Sequence, residues 1–245
     1  MKKEETGFDY GATPVEAGGG EFKNPAVGPH TARLRSMIHV GMCIGSFEGK
    51  PKPPAPTAIA IFELKDEEDF ELDGETPLTL SKDFAIKKGD KTFMTKLLAA
   101  IDSKGKAKGF DELIGAPCTV DCKGGKDTND DGTPKYVNFN SVSAMPEQFK
   151  KMVGPLSELG VGHVRFKDIT KEAIMELHPI RHVADILMKS LDYPGSKAEE
   201  IINEIRKENP AFAVRKASDA PPAGSVASDS ATDAPPPVMD TAEEF

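Results

Sequence analysis

The residues in this chain whose types and spacing suit chemistry are chiefly basic and aromatic. Arg33 and Arg35 alternate along one strand face, and Phe47, Lys50 and Lys52 border a proline-rich loop. Lys82, Phe84, Lys87, Lys88, Lys91 and Phe93 crowd around a strand end and a helix start. Lys123, Lys126, Lys135, Tyr136 and Phe139 interleave charge with rings, and Phe62 ends an apolar strand. Cations at this density can track phosphates, and aromatic faces can stack bases, each stack being worth roughly 1–3 kcal/mol. Phe84, Phe93 and Phe139 equally suit a core, whereas Val137 and Phe139 pointing inward would leave Tyr136 outside.

Other groupings read as structure. DTNDDG (Asp127–Gly132) matches the first half of a calcium loop, but the twelfth position, where a bidentate Glu belongs, is Asn138. Strands flank it, so a hairpin turn is expected. His178 and His182 have i, i+4 spacing, but Pro179 interrupts them and no third ligand follows, so helix contacts are expected. Cys118 and Cys122 alternate with Val120 and read as small buried hydrophobes. No glycine-rich phosphate loop opens a helix, and no nucleophile has a base in supporting context. The chain is therefore expected to be no enzyme and to need no metal or cofactor. A nuclease using Asp127 and Asp131 is the weak enzymatic rival.

Charge is unevenly distributed. Net charge is −9, and the segment from Ser218 to Phe245 holds six acidic residues with no Lys or Arg, so two thirds of the excess lies there. Its Ala, Ser, Pro and Asp content cannot build a core. No apolar run is long enough to cross a membrane, and the lysines at the N-terminus are followed by no apolar stretch. Three cysteines in no framework spacing suit a reducing compartment.

The elements that must position these groups follow from periodicity. His30–Gly45 alternates, with Ala32, Leu34, Ser36, Ile38, Val40 and Met42 on one face and Arg33, Arg35, Met37 and His39 on the other. Gly41 and Gly45 within it suggest bends or bulges. Thr57–Leu64 and Pro77–Gly89 read as the next strands, with an acidic connection between them. Lys91–Asp102 carries a helical stripe of Phe93, Met94, Leu97, Leu98 and Ile101. Pro117–Lys123 and Lys135–Met145 are two further strands around a polar hairpin. Three strands, a helix and two strands is the order of a five-stranded Greek-key OB barrel. The expected fold is mainly β with added α. It comprises a flexible arm over 1–27, an OB-fold nucleic-acid-binding domain over 28–146, a helical extension over 147–217 and a disordered acidic tail over 218–245. Within the extension, residues 146–160, 168–192 and 196–210 read as helices and 162–168 as extended.

GPHTARLRSMIHVGMCIGSFEGK, then TAIAIFEL, PLTLSKDF and GAPCTVDCK…YVNFNSVSAMP resemble bacteriophage-encoded single-stranded DNA-binding proteins of the OB type. The likeness rests on Gly28-Pro29-His30-Thr31-Ala32-Arg33 and Phe62-Glu63-Leu64 and covers residues 25–146. It implies sequence-independent coating of single-stranded DNA during phage replication, recombination or repair, in the cytoplasm of an infected bacterium. It also implies an acidic, aromatic-ended C-terminus that recruits replication or recombination proteins. Here Asp240, Glu243 and Glu244 would meet a basic rim while Phe245 fills an apolar pocket. This chain departs from the family in having no Trp, and residues 147–210 exceed a minimal barrel. A rival expectation is a non-enzymatic phage structural or adaptor protein whose barrel binds protein.

Overall fold

The computed structural model describes residues 23–47, 49–157, 160–180 and 183–213. The N-terminal arm up to residue 22 and the acidic tail lie outside that range. Five strands build the main sheet: β1 (Gly28–Cys43), β4 (Ala55–Leu64), β5 (Thr79–Ala85), β6 (Pro117–Gly124) and β7 (Val137–Ser143). Two short strands, β2 (Ser46–Phe47) and β3 (Lys50–Pro51), form a hairpin in the first loop. The order β5-β4-β1-β6-β7 is antiparallel throughout and curls into a nearly closed barrel.

β1 makes the curl possible. Its first half pairs with β6 from Gly28 to Arg33, and most of its length pairs with β4 from Ala32 to Cys43. Register shifts between Leu34 and Ser36 and between His39 and Gly41 bend it. The first shift corrects the simple alternation. Arg35 is the extra residue, so side chains beyond it exchange faces. Ala32, Leu34 and Met37 enter the barrel core, whereas Ile38 and Val40 leave it for a second core on the outer face. Gly41, at φ +88°, sits in the second bulge, where an added Cβ would lie 2.3 Å from Ser190 Oγ. Only glycine fits there without strain.

The barrel core joins Ala58, Ala60, Phe62 and Leu64 of β4 with Leu80, Phe84, Leu97, Cys118, Val120 and Cys122. Cys118 and Cys122 are buried as small hydrophobes, and burial pushes both thiols up to about 12. The alternate β4 residues Ile59 and Ile61 face the second core. β4 is thus covered on both sides, which explains its unbroken apolar run.

Residues from Val161 onward supply that outer cover, packing on Ile38, Val40, Ile59 and Ile61. β8 (Gly162–Val164) pairs in parallel with Ser36–Ile38 of β1. α3 (Lys171–Ile180) contributes Ala173, Ile174 and Leu177, and α4 (Lys197–Glu208) contributes Ala198, Ile202 and Ile205, with Val183, Leu187, Tyr193 and Phe212 between and beyond. Ser196 caps α4 by accepting from Glu199 N at 3.3 Å, while Glu199 accepts from Gly195 N at 2.7 Å. The expected helices over 146–160 and 168–192 are shorter in the structure. α2 is confined to Glu147–Lys150, ahead of Gly154-Pro155, and α3 ends one residue after Pro179. No described helix is long and apolar enough to cross a membrane.

Candidate nucleic-acid interface

The barrel's opening lies between β5 and β7, the two ends of the sheet path. Rings fill it. Phe62 of β4 stacks on Phe139 of β7 with centroids 5.4 Å apart. Phe93 opens α1 (Phe93–Ile101), meets Phe139 edge-on at 5.5 Å and packs on Phe84 of β5 at 4.9 Å. Ring pairs at such separations add roughly 0.5–1.5 kcal/mol beyond their burial. Thr92 starts α1 there by accepting from Thr95 N at 3.3 Å, and Leu97 and Ala100 bury its inner stripe. Asp102 ends it, accepting from Lys106 N and Ala107 N at 2.9 Å each.

Lysines stand on both lips of the opening. Lys82 lies on β5 opposite Ala60 and is half-buried, while Lys87, Lys88 and Lys91 are exposed on the approach to α1. On the other side, exposed Lys123 of β6 opposes Asn138 of β7, and exposed Lys135 and Tyr136 immediately precede β7 at the lip. Tyr136 is 47% exposed, with Lys135 Nζ 5.8 Å from its ring centroid. Strand geometry puts it about 10 Å along the chain from Phe139. Lys50 is exposed on the β2–β3 hairpin. Phe47 shares that hairpin's backbone pairing, but its side chain lies outside the described part.

Three expected contacts change role. Arg33 points its guanidinium at protein carbonyls, donating to Gly115 O, to Gly154 O at 2.6 Å and to Val153 O at 2.9 Å. Arg35 is buried between Glu63 at 3.6 Å and Glu176 at 3.4 Å. Burial alone would raise the Glu63 carboxyl, but bonds from Lys65 and Ser157 hold it below its ordinary value. Glu176 also accepts from Ser36 Oγ at 2.7 Å and Val161 N at 2.8 Å, tying the outer layer to β1. Both guanidiniums are thus engaged by protein oxygens. Phe62 is 0% exposed, so its ring packs the barrel and cannot meet a base. Phe93 is half-buried with its neighbours on Phe84 and Phe139, a core-edge ring.

Other candidates lie where periodicity gave no reason to look. Between Lys87 and Lys108 there are seven lysines and two aspartates, and Lys96, Lys104, Lys106 and Lys108 are exposed along with Lys87, Lys88 and Lys91. A charge count over that window would have found them. Beyond β7, Phe149 is 50% and Met152 79% exposed. The Glu147 carboxyl beside them is held below its ordinary value by its bond to Lys150, with Lys104 and Lys151 adding to the effect. Lys104 of the loop after α1 is thus near enough to the α2 turn to act on Glu147.

The hairpin between β6 and β7 closes on itself as expected. Thr128 bridges Pro134, Lys135 N donates to Asp127 O, and Asp131 accepts from Thr133 N and Oγ. The grouping of a histidine with carboxylates close enough to share an ion is instead His30, Asp66 and Asp69. Both ring nitrogens of His30 are already bonded, Nδ1 to Asp69 at 2.7 Å and Nε2 to Ala26 O at 2.8 Å, so the group reads as a structural pin. His178 packs on Phe212 with ring centroids 4.4 Å apart, a helix contact. His182 and the tail residues Asp240, Glu243, Glu244 and Phe245 lie outside the described residues. No family model, curated protein or solved structure matches the chain.

Proposed function

We propose that this protein is a non-catalytic, sequence-independent single-stranded DNA-binding protein built on an OB-fold. The observation that carries the reading is the lysine-rich run from Lys87 to Lys108 beside the β5–β7 opening, in a barrel whose order is three meandering strands, a helix and two closing strands. Lys82, Lys87, Lys88 and Lys91 on one lip and Lys123 and Lys135 on the other side would neutralise phosphates. Tyr136 would stack on a base, with Lys50 and Phe47 of the first loop as further contacts. In keeping with the resemblance of residues 25–146, the protein would coat single strands in phage DNA replication, recombination or repair in the host cytoplasm. Its acidic C-terminus, with Phe245 as anchor, would recruit partners. The test is an anisotropy titration of labelled oligo-dT with the full chain at several salt concentrations. Binding that weakens steeply as salt rises supports the reading, and no binding at low salt overturns it.

One observation favours a second reading. OB barrels commonly bind oligonucleotides on the face of their second and third strands. Here Ile59 and Ile61 of β4 are buried on that side under α3, α4 and their connections. A barrel so covered also suits a protein-binding adaptor, which would leave a generic oligonucleotide unshifted in a gel.

A further inference from the structure

We propose that Phe149 and Met152 form a second base-stacking platform, outside the barrel, that extends the single-strand path past the lysine loop. The inference rests on the DNA-binding reading above and adds a site to it.

Both ends of the platform are pinned. Met145, 5% exposed, anchors the chain before α2, and Val153, 8% exposed, anchors it after. Arg33 then fixes the following backbone by donating to Val153 O and Gly154 O at 2.9 and 2.6 Å. Between these anchors the chain makes a single short turn, with Phe149 N and Lys150 N donating to Pro146 O at 2.9 and 3.3 Å and Met152 N to Phe149 O at 2.9 Å. A turn held this way presents its apolar side chains without the entropy loss of ordering a free loop. Arg33 is thus a positioning residue for the site.

Its surroundings name the occupant. A protein-binding apolar patch is typically depleted in lysine at its centre. This one has Lys150, paired with Glu147 at 2.7 Å, and exposed Lys151 as its sequence neighbours, and Lys104 lies near enough to help hold the Glu147 carboxyl below its ordinary value. An exposed ring with lysines beside it is complementary to a strand that alternates bases with phosphates. A duplex offers no free base faces, so the occupant is single-stranded.

The chain has no Trp, which provides a direct probe. In Phe149→Trp the new indole would be the protein's only one, and stacking on oligo-dT should quench its fluorescence. Phe149→Ala should weaken oligo-dT binding about fivefold to a hundredfold, within the 1–3 kcal/mol of one stack. Binding of an abasic deoxyribose-phosphate oligomer should be unchanged, because that ligand has nothing to stack. Circular dichroism and melting temperature show whether each variant is folded. If the parent chain binds no oligonucleotide, the DNA-binding reading itself fails. If the parent binds while Phe149→Ala binds equally well and the indole of Phe149→Trp is not quenched, the platform is overturned and the reading above survives.

Discussion

Phe93, at the first position of α1, stands edge-on to Phe139 of β7 with ring centroids 5.5 Å apart and an interplanar angle of 82°. Through this pair a helix closes the gap between two strands that do not pair. Phe139 also stacks on Phe62, and Phe93 packs on Phe84, so one column of four rings spans the opening. Phe139→Ala should therefore cost more than an ordinary half-buried ring. Removing the ring on which both Phe62 and Phe93 pack, and opening a cavity beside Phe62, should destabilise the fold by about 3–4 kcal/mol. Denaturant unfolding checks the value, and a cost below about 1 kcal/mol would mean the column does not close the barrel.

Arg35 should behave as a structural cation. Arg35→Met leaves Glu63 and Glu176 buried without it, and breaking a buried pair in this way costs about 3–5 kcal/mol. Replacing Glu176 by Gln keeps the bonds from Ser36 and Val161 in part and should cost less. If instead Arg35→Met kept its stability and bound DNA more weakly, the guanidinium would touch phosphate after all. Urea midpoints and oligonucleotide titrations of the same samples separate the two.

Changing Lys87, Lys88 and Lys91 together to Ala should flatten the salt dependence of oligo-dT binding. Each phosphate that is no longer neutralised on a single strand lowers the slope of log K against log salt by about 0.7, so the triple variant should fall by about 2. A slope equal to that of the parent would place the phosphate track elsewhere.

The pin between His30 and Asp69 makes a prediction about pH. Burial alone would lower His30, but its bonds to Ala26 O and Asp69 and the charges of Asp69 and Asp66 outweigh this and raise its pKa above 6.5. Burial likewise raises Asp69 above 3.8 despite His30. Both groups hold a proton more tightly when folded. Their stabilisation is present in full at acidic pH and is lost as pH rises, for His30 through a value above 6.5. The melting temperature should fall as pH rises past 6.5, and His30→Gln should flatten that fall. Parallel curves for the two proteins would show that His30 does not carry this pH dependence.

His39 should act in the opposite sense. Burial, then the nearby charges of His163 and Arg165, lower its pKa to about 4. Folding therefore favours the neutral ring, and its stabilisation is present above pH 6.5 and lost as pH falls toward 4. His39→Gln should reduce the acid sensitivity of the fold between pH 6 and pH 4, read from urea midpoints. An unchanged acid limb would show that protonation of His39 is not what destabilises the chain there.

The order of amino acids was enough to specify the five barrel strands, the helix between the third and fourth, the self-bonded hairpin at Asp127–Gly132 and the burial of Cys118 and Cys122. These depend on local periodicity and turn chemistry, which a single strand, helix or turn expresses on its own. The concentration of lysine around α1 was partly legible, since Lys87, Lys88 and Lys91 stood out while Lys96, Lys104, Lys106 and Lys108 did not. Arg33, Arg35 and Phe62 took their roles from the folded molecule instead. A bulge is one extra backbone residue, and the side-chain alternation on either side of it looks unbroken. Arg35 therefore reads as a surface cation until its partners Glu63 and Glu176, 28 and 141 residues away, are seen to enclose it. Phe62 and the isoleucines of β4 likewise form one apolar run, and only the barrel on one side and the α3–α4 layer on the other assign each ring and methyl to its core.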